Sequence, residues 1–177
     1  PDGTTVQTDY EYNIKDLITS YESVISKGDQ SRTVSESYDY DDRGNLIRHT
    51  DEFGYDHTYE YDEKTNVLLQ KTEPIVFRDM FTTLYTTNTL DEKGNIINTR
   101  IGIFSSEDCV QNVSYTYDEY GNPTSREITT GSTEKEYFEY TPDHANIKIY
   151  KQGDIIKGEY TYDVFGRMIT EKDSLGR

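Results

Sequence analysis

One short pattern recurs along this chain and settles most of what it can become: an aromatic, any residue, tyrosine, aspartate, two further residues, glycine, then asparagine or arginine. Full copies are Tyr38-Asp39-Tyr40-Asp41-Asp42-Arg43-Gly44-Asn45, Tyr115-Thr116-Tyr117-Asp118-Glu119-Tyr120-Gly121-Asn122 and Tyr160-Thr161-Tyr162-Asp163-Val164-Phe165-Gly166-Arg167. Looser copies surround them, at Tyr59-Glu60-Tyr61-Asp62, Leu90-Asp91-Glu92-Lys93-Gly94, Phe138-Glu139-Tyr140 and, as a worn first copy, Tyr10-Glu11-Tyr12-Asn13. Anchored on the second aromatic position, residues 12, 40, 61, 90, 117, 140 and 162 give about seven repeats spaced by roughly 21 to 29 residues, the range of repeat architectures.

Each part of the pattern has a physical reading. Alternation places Tyr38 and Tyr40, Tyr59 and Tyr61, Tyr115 and Tyr117, and Tyr160 and Tyr162 in pairs on one face of a strand, with the intervening residue on the other. The segments Asp41 to Gly44, Asp118 to Gly121 and Asp163 to Gly166 fit a type I turn, with aspartate bonding the backbone ahead and glycine at a positive φ in a bulge. An aliphatic stretch such as Leu46-Ile47 or Met168-Ile169 then starts the return strand, and a second Asp-x-x-Gly, at Asp51 to Gly54 and Asp173 to Gly176, closes the next connection. One repeat is thus about two strands. No segment sustains a helical apolar period, a single turn near Asp16 to Tyr21 being the most that the pattern allows. The expectation is all-β: an array of antiparallel hairpins in one domain over residues 1–177. A strip with an aromatic face must cover it, so the sheet is expected to be strongly twisted and curled.

Composition agrees and excludes. Hydrophobic residues are 32% of the chain, much of it 17 Tyr and 6 Phe, which suits sheet faces that need not be dry. With 18 basic and 34 acidic residues the net charge is −16, which repels nucleic acid and anionic lipid and keeps β edges from pairing indiscriminately. No apolar run is long enough for a spanning helix. Cys109 is alone, so it forms no internal disulfide and is expected as a buried thiol. The chain opens at Pro1-Asp2-Gly3, as a mature or trimmed protein would.

Chemistry is hard to place on it. His49, Asp51 and His57 form the best His/Asp group, but they flank a turn with no nucleophile beside them and no helical metal spacing, so they read as strand-face histidines. His144 stands in the turn of a degenerate copy. Asp39-x-Asp41-x-Arg43-Gly44 resembles the opening of a calcium loop, yet Arg43 sits where an oxygen ligand belongs, and a hairpin turn accounts for the same residues. No catalytic, cofactor or metal residues are assigned, and the chain is read as non-enzymatic. Tyr120 and Phe165 at turn tips, with Tyr85, are candidate ligand-contact aromatics; the plainer alternative folds a tip aromatic onto the neighbouring hairpin.

These residues resemble the YD-repeat, or Rhs-repeat, family, from about Tyr10 to Arg177, most specifically in the three full copies. That family includes bacterial wall-associated and Rhs proteins, toxin-complex shell subunits and teneurins, whose repeats build strips of antiparallel sheet that spiral into shells. The resemblance implies a secreted or cell-surface bacterial protein, lipid-anchored after signal removal or free. It also implies a scaffold or shell-wall segment, standing alone or cut from a longer array. The alternative is a module that binds a glycan, or another protein through a sheet edge, with self-association or continuation of the array as the way it meets its own kind.

Overall fold

The structure is a computed structural model and describes residues 3–177; Pro1 and Asp2, and with them the reading of how the chain opens, lie outside the described residues. Fourteen strands follow one another: β1 (Thr4–Tyr12), β2 (Ile18–Lys27), β3 (Gln30–Tyr40), β4 (Leu46–Thr50), β5 (Asp56–Tyr61), β6 (Leu68–Phe77) and β7 (Met80–Leu90). They continue as β8 (Ile96–Ile103), β9 (Gln111–Tyr117), β10 (Pro123–Thr130), β11 (Ser132–Tyr140), β12 (Ile147–Gln152), β13 (Ile155–Tyr162) and β14 (Met168–Asp173). The helical turn allowed near Asp16 to Tyr21 is instead the end of the β1–β2 turn, at Asp16 and Leu17, and the start of β2 from Ile18. Neighbours in sequence are neighbours in the sheet, from β1 to β14.

The seven anchors each end an odd-numbered strand. The return strand starts six residues later, as from Tyr12 to Ile18, Tyr40 to Leu46, Tyr117 to Pro123 and Tyr162 to Met168, or seven, as from Tyr61 to Leu68 and Tyr140 to Ile147. Aspartate makes this spacing. Asp41 Oδ1 accepts from the amides of Arg43 and Asn45 at 2.9 and 2.8 Å, Gly44 N donates to Asp41 O at 3.0 Å, and Gly44 takes φ +91°. Asp118 and Asp163 repeat this bonding. Where a copy lacks the glycine, Asp16, Asn66 or His144 enters the left-handed region at φ 59 to 60°. A register shift falls immediately before the tyrosine in β1, β3, β5, β11 and β13, so the bulge belongs to the motif.

The strongly curled sheet expected from the sequence is corrected by the structure: the strands are all antiparallel, and the sheet is not strongly curled and not closed. The reason lies in what the aromatic face carries. Among the described residues the buried apolar side chains are Ile103 and Val113, and the buried polar one is Glu136. Charged groups share the face with the rings, so there is no dry surface around which a strip would close. The opposite face is hydroxylic, with cross-strand pairs Thr58–Thr72 at 2.6 Å and Thr161–Thr170 at 2.6 Å. Cys109, expected to be buried, is exposed.

Contacts divide the chain into two units, the first running to Thr86 and including Ile103–Ser105, the second comprising Thr87–Gly102 and Ser106–Arg177.

Candidate functional site

The tyrosines of the motif are joints. Four anchor tyrosines, each at a bulge, reach back to the preceding hairpin. Tyr40 donates to Ile18 O at 2.9 Å, Tyr117 to Ile96 O at 2.6 Å, Tyr140 to Pro123 O at 2.9 Å and Tyr162 to Ile147 O at 2.7 Å. The acceptors are the first residues of β2, β8, β10 and β12, so in these four repeats one hydroxyl ties a hairpin to the one before it. Burial pushes the phenols of Tyr117 and Tyr140 up, which keeps them neutral donors.

Turn tips form a second joint, pointing the other way. Lys15 Nζ donates to Asp42 O, Arg43 to Glu63 O, and Lys93 Nζ to Glu119 O at 3.3 Å. Tyr120 stacks on His144 with ring centroids 3.8 Å apart. Thus the third residue of a turn reaches the turn of the next repeat.

Of the three candidate ligand-contact aromatics, Tyr120 lies against His144, Phe165 is 80% exposed beside the Arg167 guanidinium, and Tyr85 lies half-buried in β7.

Two carboxylates outside the repeated motif, Glu36 and Glu136, organise the aromatic face. In the second unit an open groove of about 720 Å³ is lined by Tyr115, Arg126, Glu136, Phe138, Tyr150 and Tyr160, among others. At its centre Arg126 Nε donates to Glu136 Oε2 at 2.6 Å, and Tyr150 Oη donates to Oε1 at 2.7 Å. The Arg126 bond, opposed by burial, holds the Glu136 carboxyl below its usual range, while the Tyr150 phenol is raised by the carboxylate it serves.

The first unit has the counterpart at Glu36. Tyr38 donates to Glu36 Oε2 at 2.6 Å, His49 Nε2 lies 2.8 Å from the same oxygen, and Tyr21 is a further donor. Burial pushes Glu36 up, and these bonds more than reverse it. His49 stacks on Tyr38 at 4.8 Å and on His57, its cross-strand partner, at 5.1 Å; His57 Nε2 in turn faces Asp51 Oδ2 at 3.5 Å. The His/Asp group of the sequence is therefore a strand-face row whose ring nitrogens face carboxylates. The calcium-like Asp41 has both oxygens engaged by its own turn. Among the described residues no group of three or more His, Cys, Asp or Glu is placed to hold a metal.

Glu36 and Glu136 were legible in principle, since each stands two residues before an aromatic pair, Tyr38/Tyr40 or Phe138/Tyr140, and alternation puts it on their face.

Comparison with known proteins supports the same architecture. The RHS Repeat family model matches residues 40–74. No curated protein sequence gives a significant match. Among solved structures, the TcdB2-TccC3-Cdc42 crystal structure superposes with a TM-score of 0.65 at 14% identity, covering 90% of this chain and 9% of that one. TcdB2-TccC3 without its hypervariable C-terminal region gives 0.63 at 13%, covering 93% and 9%. The Photorhabdus luminescens Tc holotoxin pore carrying a TccC3 mutation gives 0.51 at 13%, covering 97% and 10%. This chain therefore spans about a tenth of the length of those chains. An RHS repeat is present at residues 40–74, and the fold is shared with those TcdB2-TccC3 structures.

Proposed function

We propose that this RHS-repeat chain is a non-enzymatic wall segment of a secreted or surface-exposed bacterial assembly, its work being to extend a sheet of hairpins. The observation that carries the reading is the joint: in four repeats the signature tyrosine bonds the first carbonyl of the preceding return strand. The distinctive residue of the pattern thus holds repeat to repeat. The superposed structures, in which this length is about a tenth of the chain, support a role as part of something longer.

A second reading has one observation in its favour. The groove around Arg126 and Glu136 combines open aromatic faces with a charged pair, a lining that suits a sugar ring. Tyr120, Phe165 and Tyr85 remain candidates for the same kind of contact.

Lengthening the array separates the two. Duplicating the repeat of residues 147–167, hairpin and following turn together, should raise thermal stability, because a repeat array gains an interface with each unit added, and a glycan panel should give no saturable binding. Saturable binding of one glycan that is lost in Tyr150→Ala, with no gain from the added hairpin, would replace the wall reading by the binding one.

A further inference from the structure

We infer that Tyr10 and Tyr21 form a modification site, at which oxidation joins the two rings by a carbon–carbon bond, as dityrosine, and so links β1 to β2 covalently. The inference goes beyond the wall reading and does not depend on it.

The chemistry asks for two things in one place: a phenol whose proton has a base to go to, and a second phenol in ring contact with the first. Among the described residues Tyr21 and Tyr38 donate to Glu36, and Tyr150 donates to Glu136. A carboxylate so placed takes the proton as an electron leaves the ring. The three phenols differ in the ring beside them. Tyr38 stacks on His49 at 4.8 Å and Tyr150 on Phe138 at 5.5 Å, and neither neighbour is a phenol. Tyr21 meets Tyr10, with ring centroids 6.1 Å apart. Allowing for the radius of each ring, the facing edges are roughly 3.5 Å apart, which is carbon–carbon contact.

Register holds the pair in place. Tyr10 lies directly opposite Tyr21, and Tyr21 directly opposite Glu36, so second phenol, first phenol and base stand in one row across β1, β2 and β3. Later hairpins fill the same position otherwise: Tyr38 lies opposite His49, Tyr59 opposite Lys71, Tyr115 opposite Arg126 and Tyr160 opposite Glu171. Tyrosines also meet along single strands, Tyr10 with Tyr12 at 6.4 Å and Tyr115 with Tyr117 at 6.5 Å. The Tyr117 hydroxyl, however, donates to the Ile96 carbonyl, which is no base. With a single cysteine the chain has no disulfide of its own to lock a hairpin, and a ring-to-ring bond does the same work.

The step balances with a peroxidase and hydrogen peroxide as the oxidant. Each phenol gives up one electron and its hydroxyl proton, Tyr21 to Glu36 and Tyr10 to water. The two radicals couple at ring carbons next to the hydroxyls, and the hydrogens on those carbons then pass to the phenol oxygens. Two electrons and two protons leave in all, and they convert one hydrogen peroxide into two waters.

Treating the dilute, folded chain with hydrogen peroxide and a peroxidase tests this. The expected product is a monomer lighter by two hydrogens, with dityrosine fluorescence and a cross-linked peptide that joins Tyr10 to Tyr21. Tyr10→Phe should remove that intrachain link. Phe138→Tyr supplies the missing phenol beside Tyr150 and its carboxylate, and should add a second link, to Tyr150. The same treatment in urea should scatter the links among other tyrosines. Dityrosine formed only between copies, an intrachain link that maps elsewhere, none at all, or a yield unchanged by Tyr10→Phe would overturn the inference. None of these results touches the wall reading, whose test is the stability gained from an added repeat.

Discussion

Glu36 and Glu136 occupy the same place in two repeats, and the two units neutralise them differently. In the first unit the residue opposite Glu36 on the preceding strand is Tyr21 and the diagonal one on the following strand is His49. In the second unit the corresponding residues are Arg126 and Tyr150. One carboxylate is therefore held by phenols and an imidazole, the other by a permanent guanidinium and a phenol. The repeat fixes where a carboxylate falls on the aromatic face; it leaves open what holds it.

The largest effect should come from removing the permanent cation. Arg126→Met leaves Glu136 with the Tyr150 bond alone, and should cost about 1 to 2 kcal/mol, the worth of a charged hydrogen bond reduced for a guanidinium that is 41% exposed. Chemical denaturation reads it; no loss would mean that the pair is ornamental. Gly121→Ala comes next, because φ is +88° there and open space does not relieve a side chain of left-handed strain; about 1 kcal/mol is expected from the melting midpoint. Tyr40→Phe and Tyr117→Phe, one in each unit, should each cost about 1 kcal/mol or a little less, and near-equal losses would show that the joint is indifferent to which carboxylate cluster lies beside it.

The smallest effect is a titration. Glu36 and Glu136 both have depressed carboxyls in the folded chain, so the stability they add is complete above the unfolded glutamate range near 4.3 and is lost as pH falls through their folded values. Carboxyl carbon shifts should show both below free glutamate. Tyr21→Phe should move Glu36 upward and leave Glu136 in place, and Arg126→Met should do the converse; coupled movement of both would break the comparison.

Much of the fold could be read from residues 38–46 alone. Alternation, the Asp-to-Gly turn and the aliphatic return dictated strand, turn and strand, and the repeat did the rest. Curling was not legible, because it depended on how much apolar surface the aromatic face would present. Tyr10, Tyr21, Tyr38, Tyr115 and Tyr150 read as ring area, while their hydroxyls and the carboxylates between them keep that face wet. The candidate site was harder still. Turn-tip aromatics drew attention as residues with no packing to explain them, and Tyr120 proved to have a stacking partner in His144, which the sequence places 24 residues away in a degenerate turn. Arg126 carries no motif; its role exists only through register with Glu136 and Tyr115.

The anchor-to-return interval of six or seven residues contrasts with the connections at the other ends of the hairpins, which run from the single Gly131 to the seven residues between Ile103 and Gln111. Considered as heredity rather than chemistry, each repeat has one side under tight constraint and another free to drift. Mutations that lengthen the chain can accumulate at the free side without disturbing a single tyrosine joint. A lineage of such proteins could vary what it shows to the outside, segment by segment, while every descendant still assembled by the same rule.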